Sequence, residues 1–258
     1  MANYFRYMLG IVKYAFGSKK GVKSPEEIRL IENTQRATEK AMHNVVSILR
    51  DSTIGKDGLI YLQDKVLTSE YVKAEIHKEL NLNYAVSVYE PIVSCGEETT
   101  TVHYEGSGPL RANETIVVDI FPKSRGYFAD MSRTFVKGKA SEEAFELYDS
   151  VYEMKERAIE LIRPGMNFKD LTEMCREWFA KEGFKTGKEG FTHSLGHGVG
   201  REIHEAPMRK DKILENSVIA IEPGLYYKGV GGVRLEDIVV VGKDGCRNLT
   251  EFPDVFEL

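Results

Sequence analysis

Cysteine is scarce in this chain of 258 residues: it has three, Cys95, Cys175 and Cys246, and no two of them form a CxxC pair. Three thiols cannot all pair with one another, and so few argue against a fold held together by disulfides. The composition favours a reducing, cytoplasmic compartment. A buried inert thiol is the commoner role of such a cysteine, and a nucleophilic role of Cys95 or Cys175 is the alternative.

An excess of basic residues is also missing. The chain has 35 Lys and Arg against 40 Asp and Glu, a net charge of −5, and nothing in it suggests a nucleic-acid or membrane partner. Residues 1–16 are the most apolar stretch, but Arg6 and Lys13 interrupt it and no small-residue cleavage site follows. We interpret this stretch as neither a signal peptide nor a membrane span.

Three common catalytic or nucleotide-binding motifs are absent. The glycines of residues 196–200 (GHGVG) lack the lysine of a P-loop and the spacing of a dinucleotide-binding fingerprint. His204 and Glu205 are not followed by the second histidine that an HExxH zinc motif requires. The chemistry must therefore come from side chains that are dispersed along the chain.

The hydrophobic pattern gives two halves with the same order of elements. Ser24, Pro25 and Glu27 follow a linker-like segment (residues 17–23) and predict a capping box that starts a helix. Two helices and then strands are expected, twice over, which predicts an α+β domain with an internal pseudo-repeat. The predicted helices span residues 25–50, 69–80, 142–162 (capped by Ser141) and 168–181 (capped by Asn167), and the predicted strands span 85–95, 115–121, 126–136, 217–221 and 233–241.

The first candidate site is a pair of aspartates in apolar strands. Asp119 lies in TIVVDIF and Asp130 in GYFADMSRTF. If Ser124 and Arg125 form the two-residue loop of a hairpin, the aspartates lie directly opposite each other, with Cβ atoms roughly 5 Å apart. Two like charges at that distance repel each other and raise the pKa of one carboxyl group, and a divalent cation removes that cost.

Glu222 and Glu236 repeat this arrangement across a glycine-rich turn centred on Gly229. Outward-facing, solvated acids are the usual alternative. Here residues 219–221 and 239–240 are apolar, and an acid in such surroundings is costly unless it is paired or bound to metal. The spacing favours a metal site.

Three of the six histidines, His193, His197 and His204, lie in one glycine-rich segment, FTHSLGHGVGREIHEAP. His43 and His77 fall on predicted helices and are interpreted as surface residues. Four carboxylates with an imidazole form an oxygen-rich site that suits two ions such as Mn²⁺, Co²⁺, Fe²⁺ or Zn²⁺ rather than a thiolate zinc site.

In chain order, VVDIFPKSRGYFADMSRTF, HSLGHGVGREIHEAP, IEPGLY and VRLED resemble the creatinase/aminopeptidase family, and within it the Xaa-Pro peptidases and prolidases. The resemblance covers residues 24–258 and implies the pita-bread fold, a curved antiparallel sheet covered by helices with an internal pseudo-two-fold repeat. It implies an N-terminal extension and linker over residues 1–23 and a catalytic domain over residues 24–258. Prolidases usually carry a larger N-terminal domain that helps to form a dimer. Residues 1–16 are therefore either a short natural start or the last helix of such a domain, and a homodimer is left open.

The same resemblance implies a role for each site residue. Asp130 and Glu236 would bridge two metal ions, Asp119 would bind one ion, and His197 with Glu222 the other. Glu222 would also carry the proton to the leaving nitrogen. The remaining residues would contact substrate: His103 faces it, His193 lines the proline-side pocket, His204 hydrogen-bonds the scissile carbonyl, and Arg234 is typical of the prolidase branch.

The implied function is hydrolysis of the N-terminal peptide bond of a peptide or dipeptide, before proline, by a hydroxide that bridges the two ions. Methionine aminopeptidase-like activity and a non-catalytic module that binds peptides or proteins are the alternatives. A metal-free creatine amidinohydrolase is disfavoured by the complete ligand set. Glu97 and Glu98 depart from the family pattern, and a solvated loop is favoured there over an altered substrate pocket.

Overall fold

The computed structural model describes residues 21–258. The interpretation of residues 1–16, and most of the predicted linker, lie outside the described residues. The three linker residues that are described lie against the second half of the chain. Val22 forms an antiparallel bridge with Ser217, and the Lys23 amide donates to the Asn216 carbonyl at 2.9 Å.

Four α-helices lie in the described part of the chain, close to the predicted positions. Ser24 caps the first with the predicted capping box: its hydroxyl accepts from the Glu27 amide, and the Glu27 carboxylate accepts from the Ser24 amide. Asn167 occupies the cap position of the fourth, but its side-chain amide donates to Asp170 instead of capping the helix. No helix among residues 21–258 has both the length and the apolar character needed to cross a membrane. The helices are α1 (Pro25–Asp51), α2 (Ser69–Leu82), α3 (Glu142–Leu161) and α4 (Phe168–Lys181).

The strands are antiparallel to their neighbours in every sheet. The predicted strand over residues 85–95 is too long, because only residues 92–95 are strand and Pro91, just before them, has no backbone donor. The strands are β1 (Thr53–Ile54), β2 (Ile60–Leu62), β3 (Lys65–Val66), β4 (Ile92–Cys95), β5 (Thr115–Ile120), β6 (Lys123–Ser124), β7 (Tyr127–Phe128), β8 (Met131–Val136), β9 (Gly196–Gly198), β10 (Val218–Ile221), β11 (Gly224–Tyr227), β12 (Gly231–Arg234), β13 (Asp237–Val241) and β14 (Cys246–Asn248).

The two halves repeat one arrangement. The sheet order β4-β5-β8 in the first half corresponds to β9-β10-β13 in the second, where β14 adds an edge strand. Apolar side chains of α1 and α2 pack with the first sheet, and those of α3 and α4 with the second, so each half buries its own core. Typical members are Val45, Ile76, Ile116 and Phe135 in the first core, and Val151, Phe179, Ile219 and Val239 in the second.

The first hairpin differs from the predicted register by two residues. Its two-residue loop is Arg125 and Gly126, both with positive φ, rather than Ser124 and Arg125. Positive φ at both central positions is typical of the tight turn that joins twisted antiparallel strands. Asp119 therefore pairs with Ser132, and Asp130 lies two residues away along the same face.

The second hairpin has the predicted register. Gly224 pairs with Arg234 on one side of the two glutamates, and Ile221 pairs with Asp237 on the other. Glu222 and Glu236 therefore occupy corresponding positions where the ladder is interrupted. The first hairpin is likewise interrupted at Ala129 and Asp130. The second half thus brings both glutamates to a break in its strands, and the first half brings Asp130 to one, close to Asp119 of β5.

A buried network of charges joins the two halves behind these breaks. Arg133 of β8 is fully buried and donates to the Asp237 carboxylate of β13 at 2.8 Å and to the Glu236 carbonyl at 2.7 Å. Lys155 of α3 lies 3.0 Å from Asp237 and 2.8 Å from Asp254. Burial raises the pKa of Asp237, but Arg133 and Lys155 outweigh this effect and hold that pKa below its ordinary value.

Lys155→Met is expected to lower the free energy of unfolding by about 3–5 kcal/mol, because it removes one partner of a buried ion pair and leaves the carboxylates undercompensated. Arg157→Met is the matched control on the same helix: its partner Glu153 is exposed, and the loss should stay below about 1 kcal/mol. Urea unfolding of the two variants measures both values. Equal losses would contradict the role of the network.

Candidate metal centre

A cleft of about 1130 Å³ is lined by residues from both halves of the chain. Its walls include residues 101–107, the strand breaks and the loop that follows β9. All the predicted ligand and substrate residues except His193 line this cleft. They are Asp119, Asp130, His197, Glu222, Glu236, His103, His204 and Arg234.

Three of the predicted ligands form a compact cluster. One ligand atom from each of Asp130, His197 and Glu236 lies within 4.8 Å of the others, and all three residues are buried. His197 Nε2 is 3.6 Å from Asp130 Oδ2 and 3.7 Å from Glu222 Oε1, too far for hydrogen bonds. Ligand atoms at these separations can surround a cation that binds each of them at about 2.1 Å.

Three carboxylates of the cleft each carry a buried oxygen that has no hydrogen-bond partner among the described residues. Asp119 Oδ1, Asp130 Oδ1 and Glu236 Oε1 are buried and accept no hydrogen bond from the described residues. A buried carboxylate oxygen left in this way costs free energy, because it loses the hydrogen bonds it would make with water. Hard divalent cations prefer such oxygens, so the donor set fits a metal centre.

The second oxygen of two carboxylates is fixed by neighbouring side chains. Arg234 donates through Nη2 to Asp119 Oδ2 at 2.8 Å and through Nε to Ser132 Oγ at 2.9 Å. Ser132 in turn donates to Glu236 Oε2 at 2.9 Å. Asp119 and Glu236 are therefore oriented with one oxygen held and one left unpartnered.

Burial and mutual repulsion shift the pKa values of the acids. The pKa of Asp130 lies well above its ordinary value, because of burial first and the charges of Glu236 and Asp119 next. Burial, then Asp119 and Glu222, raises the pKa of Glu236 in the same way. The pKa of Glu222 is raised to about 8, mainly by burial, with Arg234 opposing and Asp119 adding to the effect.

The histidine of the cluster is neutral and fixed in orientation. Burial lowers the pKa of His197 to about 4, so the ring is uncharged near neutral pH, as a metal ligand must be. His197 Nδ1 lies 3.2 Å from the Gly198 carbonyl. The tautomer that donates from Nδ1 to this carbonyl leaves the Nε2 lone pair directed at the carboxylates.

The residues predicted to contact substrate lie at different depths. His103 and His204 line the cleft, and the His204 ring meets the His197 ring edge-on with centroids 4.0 Å apart. His193 lies deeper: its Nε2 is 2.9 Å from the Tyr226 hydroxyl, which accepts from Arg234 Nη1 at 3.2 Å. Burial lowers the pKa values of His193 and His204 below the ordinary value.

Two members of this network were not found from the sequence. Ser132 is two residues after Asp130 in ADMSRTF, and the two-residue period of a strand was the available signal. Tyr226 is separated from Glu222 by a strand break, and no spacing in the sequence indicated it.

Three other sequence-derived candidates lie outside the cluster. Cys95 and Cys175 are buried, and burial raises the pKa of both thiols, that of Cys95 to about 12, which disfavours a thiolate nucleophile. Glu97 accepts a hydrogen bond from the Gly229 amide at 2.9 Å and so supports the turn of the second hairpin.

The chain resembles known proteins in sequence. The model of metallopeptidase family M24 matches residues 29–243. The Xaa-Pro dipeptidase of Pyrococcus furiosus is 32% identical over 236 residues, which are 89% of this chain and 63% of that protein. The corresponding enzyme of Pyrococcus horikoshii is 31% identical, with 89% and 62% covered. The chain therefore spans just over three fifths of the length of these curated relatives.

Solved structures give the same result. The Xaa-Pro dipeptidase from Bacillus anthracis aligns with a TM-score of 0.80 at 26% identity, covering 92% of this chain and 64% of that one. The prolidase from Pyrococcus horikoshii aligns with a TM-score of 0.78 at 31% identity, covering 90% and 64%. These matches confirm the predicted α+β pita-bread fold.

The raised acid pKa values predict how metal-free protein responds to pH. Consider a carboxyl group whose pKa is higher in the folded than in the unfolded protein. It stabilises the folded state fully at pH values below its pKa in the unfolded protein, which is near 4.5 for Glu222. This contribution is lost as pH rises through its pKa in the folded protein, which is about 8. Chelated protein should therefore lose a few kcal/mol of stability over this range. Mn²⁺ should raise the melting temperature more at pH 8 than at pH 5.

Glu222→Gln should flatten this pH dependence, because the amide cannot ionise. Glu189→Gln, at a partly exposed carboxylate outside the cleft that pairs with Lys185, is the matched control and should leave the slope unchanged. Thermal unfolding of the three chelated proteins between pH 5 and 8 makes the comparison. If stability fell with pH as steeply in Glu222→Gln as in the unmodified chain, burial would not raise the pKa of Glu222.

Proposed function

The chain belongs to metallopeptidase family M24, and we propose that it hydrolyses the N-terminal peptide bond of peptides or dipeptides whose second residue is proline. The observation that carries this proposal is the buried cluster of Asp130, His197 and Glu236, whose ligand atoms lie within 4.8 Å of one another. The names of the two Pyrococcus relatives, both Xaa-Pro dipeptidases, support the choice of substrate. We place the catalytic domain at residues 24–258 and the activity in the cytoplasm, and leave open whether the chain dimerises.

Two divalent cations are proposed for the cleft, from the group Mn²⁺, Co²⁺, Fe²⁺ and Zn²⁺. Asp130 and Glu236 would be shared by both ions, Asp119 would hold one, and His197 with Glu222 the other. The unpartnered oxygens of Asp119, Asp130 and Glu236 support this assignment. When bound there, the cations supply Lewis acidity that polarises a carbonyl group and acidifies water.

The protein's own groups are suited to moving protons at this centre. Glu222 lies beside the cluster, with Oε1 3.7 Å from His197 Nε2, and its carboxylate can take up a proton and pass it to the leaving nitrogen. His204, uncharged and at the cleft wall, can donate a hydrogen bond to the scissile carbonyl oxygen as negative charge develops on it.

The cleft also favours a substrate with a free N-terminus. A free α-amino group of a peptide would bind near a cation and its acidic ligands. His103, whose pKa is lowered by burial and by Arg234, is a neutral polar contact on the same wall. Arg234 keeps Asp119 in place and links it through Tyr226 to His193.

Glu236→Gln is expected to lose metal binding and activity together, because one shared carboxylate is replaced by a weaker, uncharged donor. We expect a fall in kcat/KM of about 100-fold or more, with Mn²⁺ affinity falling in parallel. Calorimetric titration and peptide hydrolysis measure the two quantities. Glu215→Gln, at an exposed glutamate, is the control. Normal turnover in purified Glu236→Gln would contradict the assignment.

A substrate panel decides between the candidate activities. Metal-free protein is supplied with Mn²⁺, Co²⁺, Fe²⁺ or Zn²⁺ in turn and tested on an Xaa-Pro dipeptide, an Xaa-Pro tripeptide and a Met-Ala peptide. We expect hydrolysis of an Xaa-Pro substrate with at least one ion. Preference for Met-Ala would indicate the methionine aminopeptidase alternative, and no hydrolysis with any ion would favour a peptide-binding module.

A further inference from the structure

The loop that carries His204 is anchored at both of its ends. We call residues 200–205 the His204 loop. The Phe128 amide donates to the Gly200 carbonyl at 2.7 Å, and the Glu205 amide donates to the Gly198 carbonyl at 2.9 Å. Between these points the loop forms no regular strand or helix. Within the loop, the Gly200 amide donates to the Glu202 carbonyl at 3.2 Å, and side-chain contacts supply the rest of its support.

The Glu205 carboxylate supplies these contacts from inside the loop. Its Oε2 accepts from the Arg201 amide at 2.8 Å and from the Glu202 amide at 3.2 Å. A Cβ atom at Gly200 would collide with this carboxylate, so the glycine makes room for it. One buried side chain thus holds two backbone amides of the loop.

The charge of Glu205 is compensated from a distant part of the chain. Lys23 Nζ lies 2.8 Å from Glu205 Oε1, and the two side chains are only 3% and 6% exposed. Lys23 lies just before Ser24, the N-cap of α1, and its position is fixed because its amide donates to the Asn216 carbonyl. Gly21 lies against the backbone of Ala206, just beyond the loop, with no room to spare for a Cβ atom.

The His204 loop touches the metal cluster through His204. The His204 ring meets the His197 ring edge-on, with ring centroids 4.0 Å apart. Both Ile203 and His204 line the cleft. A shift of the loop would therefore change the orientation of one proposed metal ligand and of the proposed carbonyl donor together.

We propose that the Lys23–Glu205 ion pair is a positioning device that holds the His204 loop in the conformation in which His197 and His204 both face the cleft. Its catalytic consequence rests on the proposed function. Glu205 shapes the loop through the Arg201 and Glu202 amides, and Lys23 makes a buried negative charge tolerable there. Removing Lys23 leaves Glu205 buried without its cation, which is costly, so the loop rearranges to hydrate the carboxylate. The segment before α1 is thereby coupled to the site.

The test compares Lys23→Met and Glu205→Gln with a matched control, Arg36→Met. Arg36 pairs with Glu39, another buried glutamate, and with Glu251, all far along the chain from the His204 loop. The first readout is the ring-nitrogen NMR spectrum of the histidines in the full chain, with and without Zn²⁺. The second is kcat and KM for an Xaa-Pro dipeptide with Mn²⁺.

We expect the His197 and His204 resonances to shift in Lys23→Met and Glu205→Gln but not in Arg36→Met, with His43 and His77 unchanged in all three. The kcat should fall about 10- to 100-fold in the first two variants, beyond any change in KM. Unchanged His197 and His204 resonances, or equal shifts in Arg36→Met, would overturn the proposal.

Should Lys23→Met not fold, Glu205→Gln, which keeps the side-chain shape, decides alone. If the unmodified chain cleaves no Xaa-Pro peptide, the proposed function fails, while the spectra still test the positioning role.

Discussion

Repulsion among four acids in one largely buried cleft is the constraint on which the rest of the structure depends. Asp119, Asp130 and Glu236 are buried, and Glu222 is 18% exposed. Burial and like charge raise the pKa values of Asp130, Glu222 and Glu236, and three carboxylate oxygens have no partner among the described residues. A folded protein maintains such an arrangement only if something compensates the buried charge. Within the protein, Arg234 compensates one oxygen of Asp119, and the remaining oxygens are those that suit divalent cations.

The two halves contribute to this centre reciprocally. Arg133, in the first half, donates to the Glu236 carbonyl and to Asp237 in the second. Arg234, in the second half, donates to Asp119 and Ser132 in the first. Two buried arginines therefore join the halves, one on each side of the carboxylates. This arrangement explains how short strands that are interrupted at Asp130 and Glu236 can still fix the acids in place.

The family and the geometry constrain the function at different levels. Membership in metallopeptidase family M24 follows from a match over residues 29–243 and gives the class of chemistry. The cleft supports the specific roles that we propose: neutral His197 as a ligand, Glu222 as the proton carrier and His204 as the hydrogen-bond donor. The Lys23–Glu205 ion pair adds a connection that neither the family nor the cleft residues reveal, because it lies behind the loop and joins it to a segment far away in the chain.

Local physics in the sequence determined much of the fold. The capping box at Ser24 and Glu27 and the register that places Glu222 against Glu236 were predicted correctly, since both depend on residues a few positions apart. The predicted register of the first hairpin was wrong by two residues, because the sequence pattern alone did not decide whether Ser124 or Gly126 entered the tight loop. The positive φ values of Arg125 and Gly126 decide it.

What only the tertiary structure decided is which oxygens are left unpartnered, that His193 reaches Arg234 through Tyr226, and that Lys23 neutralises Glu205. These features join residues that are distant in sequence, and no local propensity encodes the distance between atoms that the folded core brings together.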